Sequence, residues 1–430
     1  MVTMNNRQTS TSSFEVCIGD AGIPVGSLRF VVQGRRELAQ FVYHGSWLGH
    51  PQRFEISPDL PLQPGFFSRK APAERESPFF FALADTEPDA WGRQVIDRAH
   101  AKARKKDASL APLREIDYLC AVDDFSRIGA LRLMKDGAAQ RTAAAGERST
   151  PPFIELERIY RATRAVERSK ETQEDLRYLQ GKGTSLGGMR PKCTILDEQG
   201  RLSIGKFPSV SDATNVTRAE VLALRLAAQA GIDVPRARAV DVNGVAVAVI
   251  ERFDRTAQGG RIPYLSAASM LQAERQSHRA YTEVVDALMR KGAEPERDAR
   301  QLWRRLVFNL LITNTDDHLR NLGFLYAAND QWRLAPAFDL NPMPGRLRES
   351  KTWLSEDSGP IESVDSLMQA CGYFALSRQD ALAAVRDVVE AVSRWRELGM
   401  SAEVGLTRAE LNAFQDAFEH DQMRAARELR

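Results

Sequence analysis

The chain has 430 residues, 43% of them hydrophobic and 27% charged, with a formal net charge of +2. That length allows two or three domains with a sizeable core. The near-neutral balance excludes a strong electrostatic bias toward nucleic acid or a membrane surface. The start, MVTMNNRQTSTSS, lacks a basic stretch followed by an apolar one, and no run approaches the ~18 apolar residues of a membrane span. Neither a signal peptide nor a membrane span is expected, and the expected compartment is the cytoplasm. Cys17, Cys120, Cys193 and Cys371 are scattered without a CxxC pair, as for thiols in a reducing compartment.

From Phe14 to about residue 55 the pattern is strand-like, with VGSLRFVV alternating apolar and polar or small residues. PFFFALADTEPDAWGRQVIDRAHAKARKK is an apolar segment feeding an amphipathic helix. Its basic tail, HAKARKK, suits a helix C-terminus, where cations complement the dipole; contact with phosphates is the other reading. MKDGAAQRTAAAGERSTPP, residues 134–152, is rich in Ala, Gly and small polar residues and reads as a linker closing the first domain. FIELERIYRATRAVERS is a helix, followed by the loop LQGKGTSLGGMRPK. CTIL and LSIGKF form a hairpin turning at Asp197–Gly200. TRAEVLALRLAAQAGI is a helix, with Thr217 the expected N-cap, Glu220 three residues on, and Gly231 at its end. ARAVDVNGVAVAVIERFDR is a second hairpin turning at Asn243–Gly244. From about residue 262 onward most segments are helical. The organisation expected is a mixed first domain over 14–135, a small sheet with helix over 152–260, and a helical region over 261–430.

In that last region, LWRRLVFNLLI has an apolar face of helical spacing, and the octet NTDDHLRN follows it directly. A turn with an Asx motif accounts for part of this polarity. LGFLY and WRLAP then make a hairpin, and antiparallel pairing brings its outer ends together. Those ends carry Asn321 and Phe338–Asp339, so Asp316, Asn321 and Asp339 can converge on one small volume. An Asp, an Asn five residues on, and a second Asp beyond a hairpin follow the order used by protein kinases. Hard oxygen ligands suit magnesium, which takes its remaining ligands from water and phosphates. Of the six histidines, only His318 sits among other reactive polar groups.

A phosphoryl-transfer site also needs a cover and a cation. GKGTSLGGMRPK, residues 181–192, supplies four glycines with Arg190 and Lys192 close by, and glycine lets backbone N–H groups approach phosphate oxygens. Lys206 lies in an otherwise apolar strand, costly unless its ammonium finds anions. It is the candidate for the α- and β-phosphates of ATP, with Glu220 as ion-pair partner. The strand end Glu251–Arg252–Phe253 can offer backbone groups to adenine, although Phe253 is equally compatible with a core position.

Five ordered stretches, SLGGMRPK, IGKFPS, IERFDR, NTDDHLRN and LAPAFDLNP, resemble the HipA-type serine/threonine kinases, toxins of bacterial toxin–antitoxin pairs. WLGHPQRFEISPDLPL, DTEPDAWGRQVIDR and VDDFSRIGALRL resemble the N-terminal region of the same family. The resemblance covers nearly the whole chain, least distinctively over the last 60 residues. It implies an α+β, protein-kinase-like two-lobed fold with an N-terminal mixed α/β subdomain and a mostly helical C-terminal lobe. It implies Asp316 as catalytic base, Asn321 and Asp339 as magnesium ligands, and Lys206 as the ATP-phosphate lysine. Gly187, Gly188, Met189, Arg190, Pro191 and Lys192 match the phosphate-binding loop, Glu251, Arg252 and Phe253 the adenine-contacting hinge, and His318 and Asn321 lie at the nucleotide site. Ser185 matches the serine such kinases phosphorylate on themselves. Arg190–Pro191 departs from the polar pair common before the loop lysine, and proline removes a backbone donor there. The cofactors implied are ATP and Mg2+. The partners implied are a helix-turn-helix antitoxin that carries the DNA contact and a translation-related protein substrate. A small-molecule kinase on the same scaffold and a non-enzymatic, repressor-binding regulator are the competing readings.

Overall fold

The computed structural model describes the chain apart from residues 1–8, 35, 74–75, 141–149, 151–154, 181–187, 276, 346–348 and 430. Packing divides it into two compact units. One comprises Met1–Thr150, Thr172–Met189 and Asp254–Leu265, the other Pro151–Glu171, Arg190–Phe253 and Ser266–Arg430.

The first unit is built on a six-stranded antiparallel sheet. Its order is Phe66–Arg69, Arg36–Tyr43, Ile23–Gln33, Thr9–Ile18, Leu131–Lys135 and Ala138–Ala139. Alternation buries Leu28 and Phe30 on one strand opposite Phe41 and Ala39 on the next. The segment read as a linker begins instead as a hairpin, because Asp136 and Gly137 both take positive φ and fold Ala139 back onto Met134. The helix Ala90–Lys106 is capped by Asp89, whose carboxylate accepts the Gly92 N–H at 2.7 Å, and ends in Arg104, Lys105 and Lys106. Arg127 is wholly buried and donates to the carbonyls of Leu119 and Val122, both at 2.9 Å.

The second unit has a four-stranded antiparallel sheet in the order Lys192–Leu196, Leu202–Lys206, Val245–Glu251, Ala237–Val242. Asn243 and Gly244 turn its second hairpin with φ of 53° and 79°, as a two-residue turn with positive φ at both central positions requires. The helix Val216–Gln229 packs on this sheet. Its N-cap is Asn215, not Thr217: the Asn215 side chain accepts the Arg218 N–H, while the Thr217 hydroxyl donates to the Ala246 carbonyl at 2.9 Å. Glu220 is thereby released from capping and lies buried.

Helices Tyr281–Lys291, Pro295–Leu311 and Arg378–Ser393 form much of the remaining core. Pro295–Leu311 begins about two turns before the apolar stretch seen in the sequence, with Pro at its first position, where a missing N–H costs nothing. Leu302, Trp303, Leu306, Val307 and Phe308 are fully buried along it. The hairpin Gly323–Ala328 and Gln331–Leu334 is pinned to this helix by Asp298, whose Oδ2 accepts the Leu334 N–H at 2.8 Å. No helix among the described residues is long and apolar enough to cross a membrane.

Candidate active site

The octet behind Pro295–Leu311 splits by burial. Thr313 takes φ +54° and its hydroxyl donates to the Ala417 carbonyl at 3.0 Å; Asn314 N–H bonds the Asn309 carbonyl at 2.8 Å. These two, with Asp317 and Leu319, are buried and hold the loop. Asp316 and His318 keep about a third of their side-chain surface exposed, 34% and 39%. Asn321 Nδ2 donates to the Asp316 carbonyl at 2.8 Å, closing the loop on itself. That leaves Asn321 Oδ1 buried and without a hydrogen-bond partner.

Across the hairpin, Asp339 has φ +56°, a left-handed conformation that costs of order 1 kcal/mol or more and persists only when its surroundings hold it. Here its Oδ1 receives Lys206 Nζ at 2.7 Å and Asn341 Nδ2 at 3.2 Å. Lys206 also meets Glu220 Oε1 at 2.5 Å. Lys192 stands directly opposite Lys206 in the strand register. Burial opposes the charge on Lys206, but Asp339 and Glu220 outweigh it and hold the ammonium above its ordinary pKa. Burial likewise acts against the ionised Asp339, yet Lys206 and Lys192 keep that carboxyl well below its usual range. Glu220 shifts upward because burial exceeds the pull of Lys206.

His318 links the two halves. Its Nε2 lies 4.0 Å from Asp316 Oδ1, and both Asp316 and Asp339 act on it electrostatically. Burial still lowers its pKa, which favours the neutral ring. Glu251 N–H bonds the Arg236 carbonyl and Arg252 N–H the Leu202 carbonyl, so both donors are spent within the sheet. The Glu251 carboxylate pairs with Arg201 at 3.1 Å and lines a cleft of about 530 Å³ with Ser203, Leu224 and Val249. Phe253 packs on Phe338, the residue before Asp339, with ring centroids 5.3 Å apart. A separate cleft of about 340 Å³ is lined by His318, Arg320, Lys351, Arg275 and Arg279.

Of the glycine-rich loop, Ser185 and Gly187 lie outside the described residues. Gly188 and Met189 are exposed and pack with the first unit, where the Gly188 carbonyl accepts the Trp91 N–H at 3.4 Å. Arg190 Nη1 donates to both carboxylate oxygens of Asp212, at 2.5 and 2.6 Å, and Pro191 extends the sheet edge through its carbonyl to Phe207 N–H.

Three residues at this site carried no signal in the sequence: Asp317, Tyr281 and Lys351. Tyr281 hydroxyl donates to Asp317 Oδ2 at 2.8 Å, and Lys351 N–H donates to Asp317 Oδ1 at 2.7 Å. Thr352 hydroxyl donates to the Asp317 carbonyl at 2.8 Å. The Lys351 ammonium contacts Asp316 Oδ1. Burial pushes the Asp317 carboxyl up to about 6, against these donors. A carboxyl raised in the folded state favours folding at low pH, and that advantage fades as pH climbs from about 4 through 6. Asp317→Asn should therefore gain stability relative to the parent between pH 4 and pH 7, by on the order of 2–3 kcal/mol. Urea unfolding of both proteins across that range measures it; a constant difference would show that Asp317 does not titrate in the fold.

Residues 184–395 match the family described as HipA-like C-terminal domain. A Sinorhizobium fredii protein named "Putative kinase Y4mE" is 26% identical over 320 residues, covering 70% of this chain and 71% of its own length. A Haemophilus influenzae protein named "Putative kinase" is 24% identical over 189 residues, 38% of this chain and 54% of that one. Among solved structures, HipA of Shewanella oneidensis MR-1, determined in complex with HipB and operator DNA, superposes with a TM-score of 0.65 at 15% identity. The superposition covers 96% of both chains, so the mixed α/β fold of that structure extends along nearly all of this sequence. Over residues 184–395, this chain is similar to the HipA-like C-terminal domain.

Proposed function

We propose that this chain is an ATP- and magnesium-dependent serine/threonine protein kinase with Asp316 as its catalytic base. The observation that carries the reading is the ion pair of Asp339, at the hairpin end, with Lys206, while both Asp339 and Asp316 of the helix-end loop act electrostatically on His318. A hydroxyl acceptor would give its proton to Asp316 as its oxygen attacks the γ-phosphorus. The bond to the β-phosphate oxygen breaks and ADP leaves. Lys206, oriented by Glu220, would contact the α- and β-phosphates.

The residues fit a magnesium ion. Among the described residues no cluster of three or more His, Cys, Asp or Glu could form a protein-only cage. Magnesium needs only one or two protein oxygens when phosphates and water supply the rest. Asn321 Oδ1, buried and unpartnered, and the Asp339 carboxylate offer those oxygens. When bound, the ion neutralises charge on the transferring phosphoryl group.

The resemblance to HipA-type toxins extends the proposal to growth arrest through a translation-related protein substrate in the cytoplasm. It also extends it to a helix-turn-helix antitoxin as partner, with self-silencing by phosphate on Ser185. The net charge of +2 supports DNA contact mainly through that partner.

The test is transfer of labelled γ-phosphate by the purified chain in a cell lysate. Label should enter protein, depend on Mg2+, and vanish with Asp339→Ala. The same variant should lose most of the thermal stabilisation by Mg–ATP, which for an intact site is roughly 2.7 kcal/mol at a hundredfold excess over Kd. Label appearing in small metabolites instead would favour a small-molecule kinase, and no transfer at all would overturn the reading.

A further inference from the structure

We propose that Lys351 is a second catalytic residue, whose ammonium binds the γ-phosphate of ATP beside Asp316; this rests on the phosphoryl-transfer reading above.

Phosphoryl transfer spreads negative charge over the equatorial oxygens of the moving group, and cations placed there lower the barrier. The loop from Asp316 to Asn321 places the His318 imidazole 4.0 Å from the catalytic carboxylate, not a fixed cation. The ammonium of Lys206 is already held between Glu220 and Asp339. The cation in direct contact with Asp316 comes from 35 residues further along, at Lys351.

That contact is poorly explained as a stabilising pair. The Lys351 side chain is 55% exposed and Asp316 34%, and ion pairs in such settings contribute little. Yet the backbone that delivers the ammonium is anchored by buried bonds. Lys351 N–H and Tyr281 hydroxyl occupy the two oxygens of Asp317, and Thr352 hydroxyl takes its carbonyl. Trp353 N–H bonds the Arg279 carbonyl at 3.0 Å, and its ring stacks on His278 with centroids 5.0 Å apart. Lys351 thus presents an exposed ammonium from a firmly anchored backbone, the kind of supported element on which a functional group is best placed. Lys351 and His318 also share the wall of the 340 Å³ cleft, whose other described lining includes Arg275, Arg279 and Arg320 against one carboxylate, Glu274. An anionic group entering there meets Lys351 beside Asp316. Asp317, which touches none of the reacting atoms, acts as a positioning residue through Lys351.

The experiment is calorimetric titration of the full chain, Lys351→Met and Lys351→Arg with Mg–AMP-PNP and with Mg–ADP, alongside transfer assays. Lys351→Met should weaken AMP-PNP binding about tenfold or more, as loss of a charge-assisted hydrogen bond predicts, and leave ADP within twofold. Lys351→Arg should retain most of the triphosphate affinity. Transfer at saturating ATP should fall roughly a hundredfold in Lys351→Met, the scale seen when one preorganised donor to a developing charge is removed. Equal loss for both nucleotides would mark a structural role, and parent-like affinity for both would overturn the proposal. Discrimination between the nucleotides without any transfer by the parent would sink the kinase reading alone. Transfer without discrimination would sink Lys351 alone.

Discussion

Asp316→Asn should lower phosphoryl transfer by at least two orders of magnitude while leaving Mg–nucleotide binding within a few-fold. Asn can accept a hydrogen bond from the acceptor hydroxyl and from Lys351, so the loop should keep its geometry. It cannot take the proton. General-base assistance is typically worth ~10²–10⁴-fold, and positioning by the loop adds to that. The Asn321 side chain bonds the Asp316 backbone carbonyl, not its carboxylate, so that contact survives the substitution. Near-normal transfer by the variant, measured as initial rate at saturating ATP, would show that another group takes the proton.

Lys206→Met should destabilise the second unit by about 3–5 kcal/mol, the usual cost of stripping one partner from a buried ion pair. It leaves the Glu220 and Asp339 carboxylates buried together, with Lys192 as the neighbouring cation. Like charges held together out of water raise each other's pKa, so the loss should be larger at pH 8 than at pH 5.5, where protonation relieves it. Lys206→Met combined with Glu220→Gln should recover a substantial part, because one buried charge is gone. Urea unfolding of the three proteins reads this directly. An unchanged midpoint for Lys206→Met would mean the lysine is held for nucleotide alone. Its nucleotide affinity should fall in either case, and the comparison with ADP separates that loss from the Lys351 effect.

Some of this site is legible in the residues because the signals are local. A lysine in an apolar strand announces an anion, and Lys206 finds two. The apolar face of Pro295–Leu311 followed at once by a polar octet announces a helix end with chemistry behind it. The turn Asn243–Gly244 and the stop at Gly231, φ +72°, follow from backbone sterics alone. Where the reading failed, two local signals competed. Asn215 and Thr217 are both capable caps, and the choice fell to Asn215 because the Thr217 hydroxyl is drawn to the Ala246 carbonyl on the neighbouring strand. A strand end such as Glu251–Arg252 carries no mark in the sequence of which neighbours its N–H groups pair with; Arg236 and Leu202 take them.

By itself the sequence determined most element types and the order of Asp316, Asn321 and Asp339, since side-chain periodicity and turn chemistry act over a few residues. Only the tertiary structure decided that Asp317 is buried under Tyr281 and that Lys351 reaches Asp316. Those contacts span 36 and 35 residues. They depend on how the helix Tyr281–Lys291 and the segment after Ser350 pack around one loop. That packing is set by close fitting of buried side chains, which no local pattern encodes.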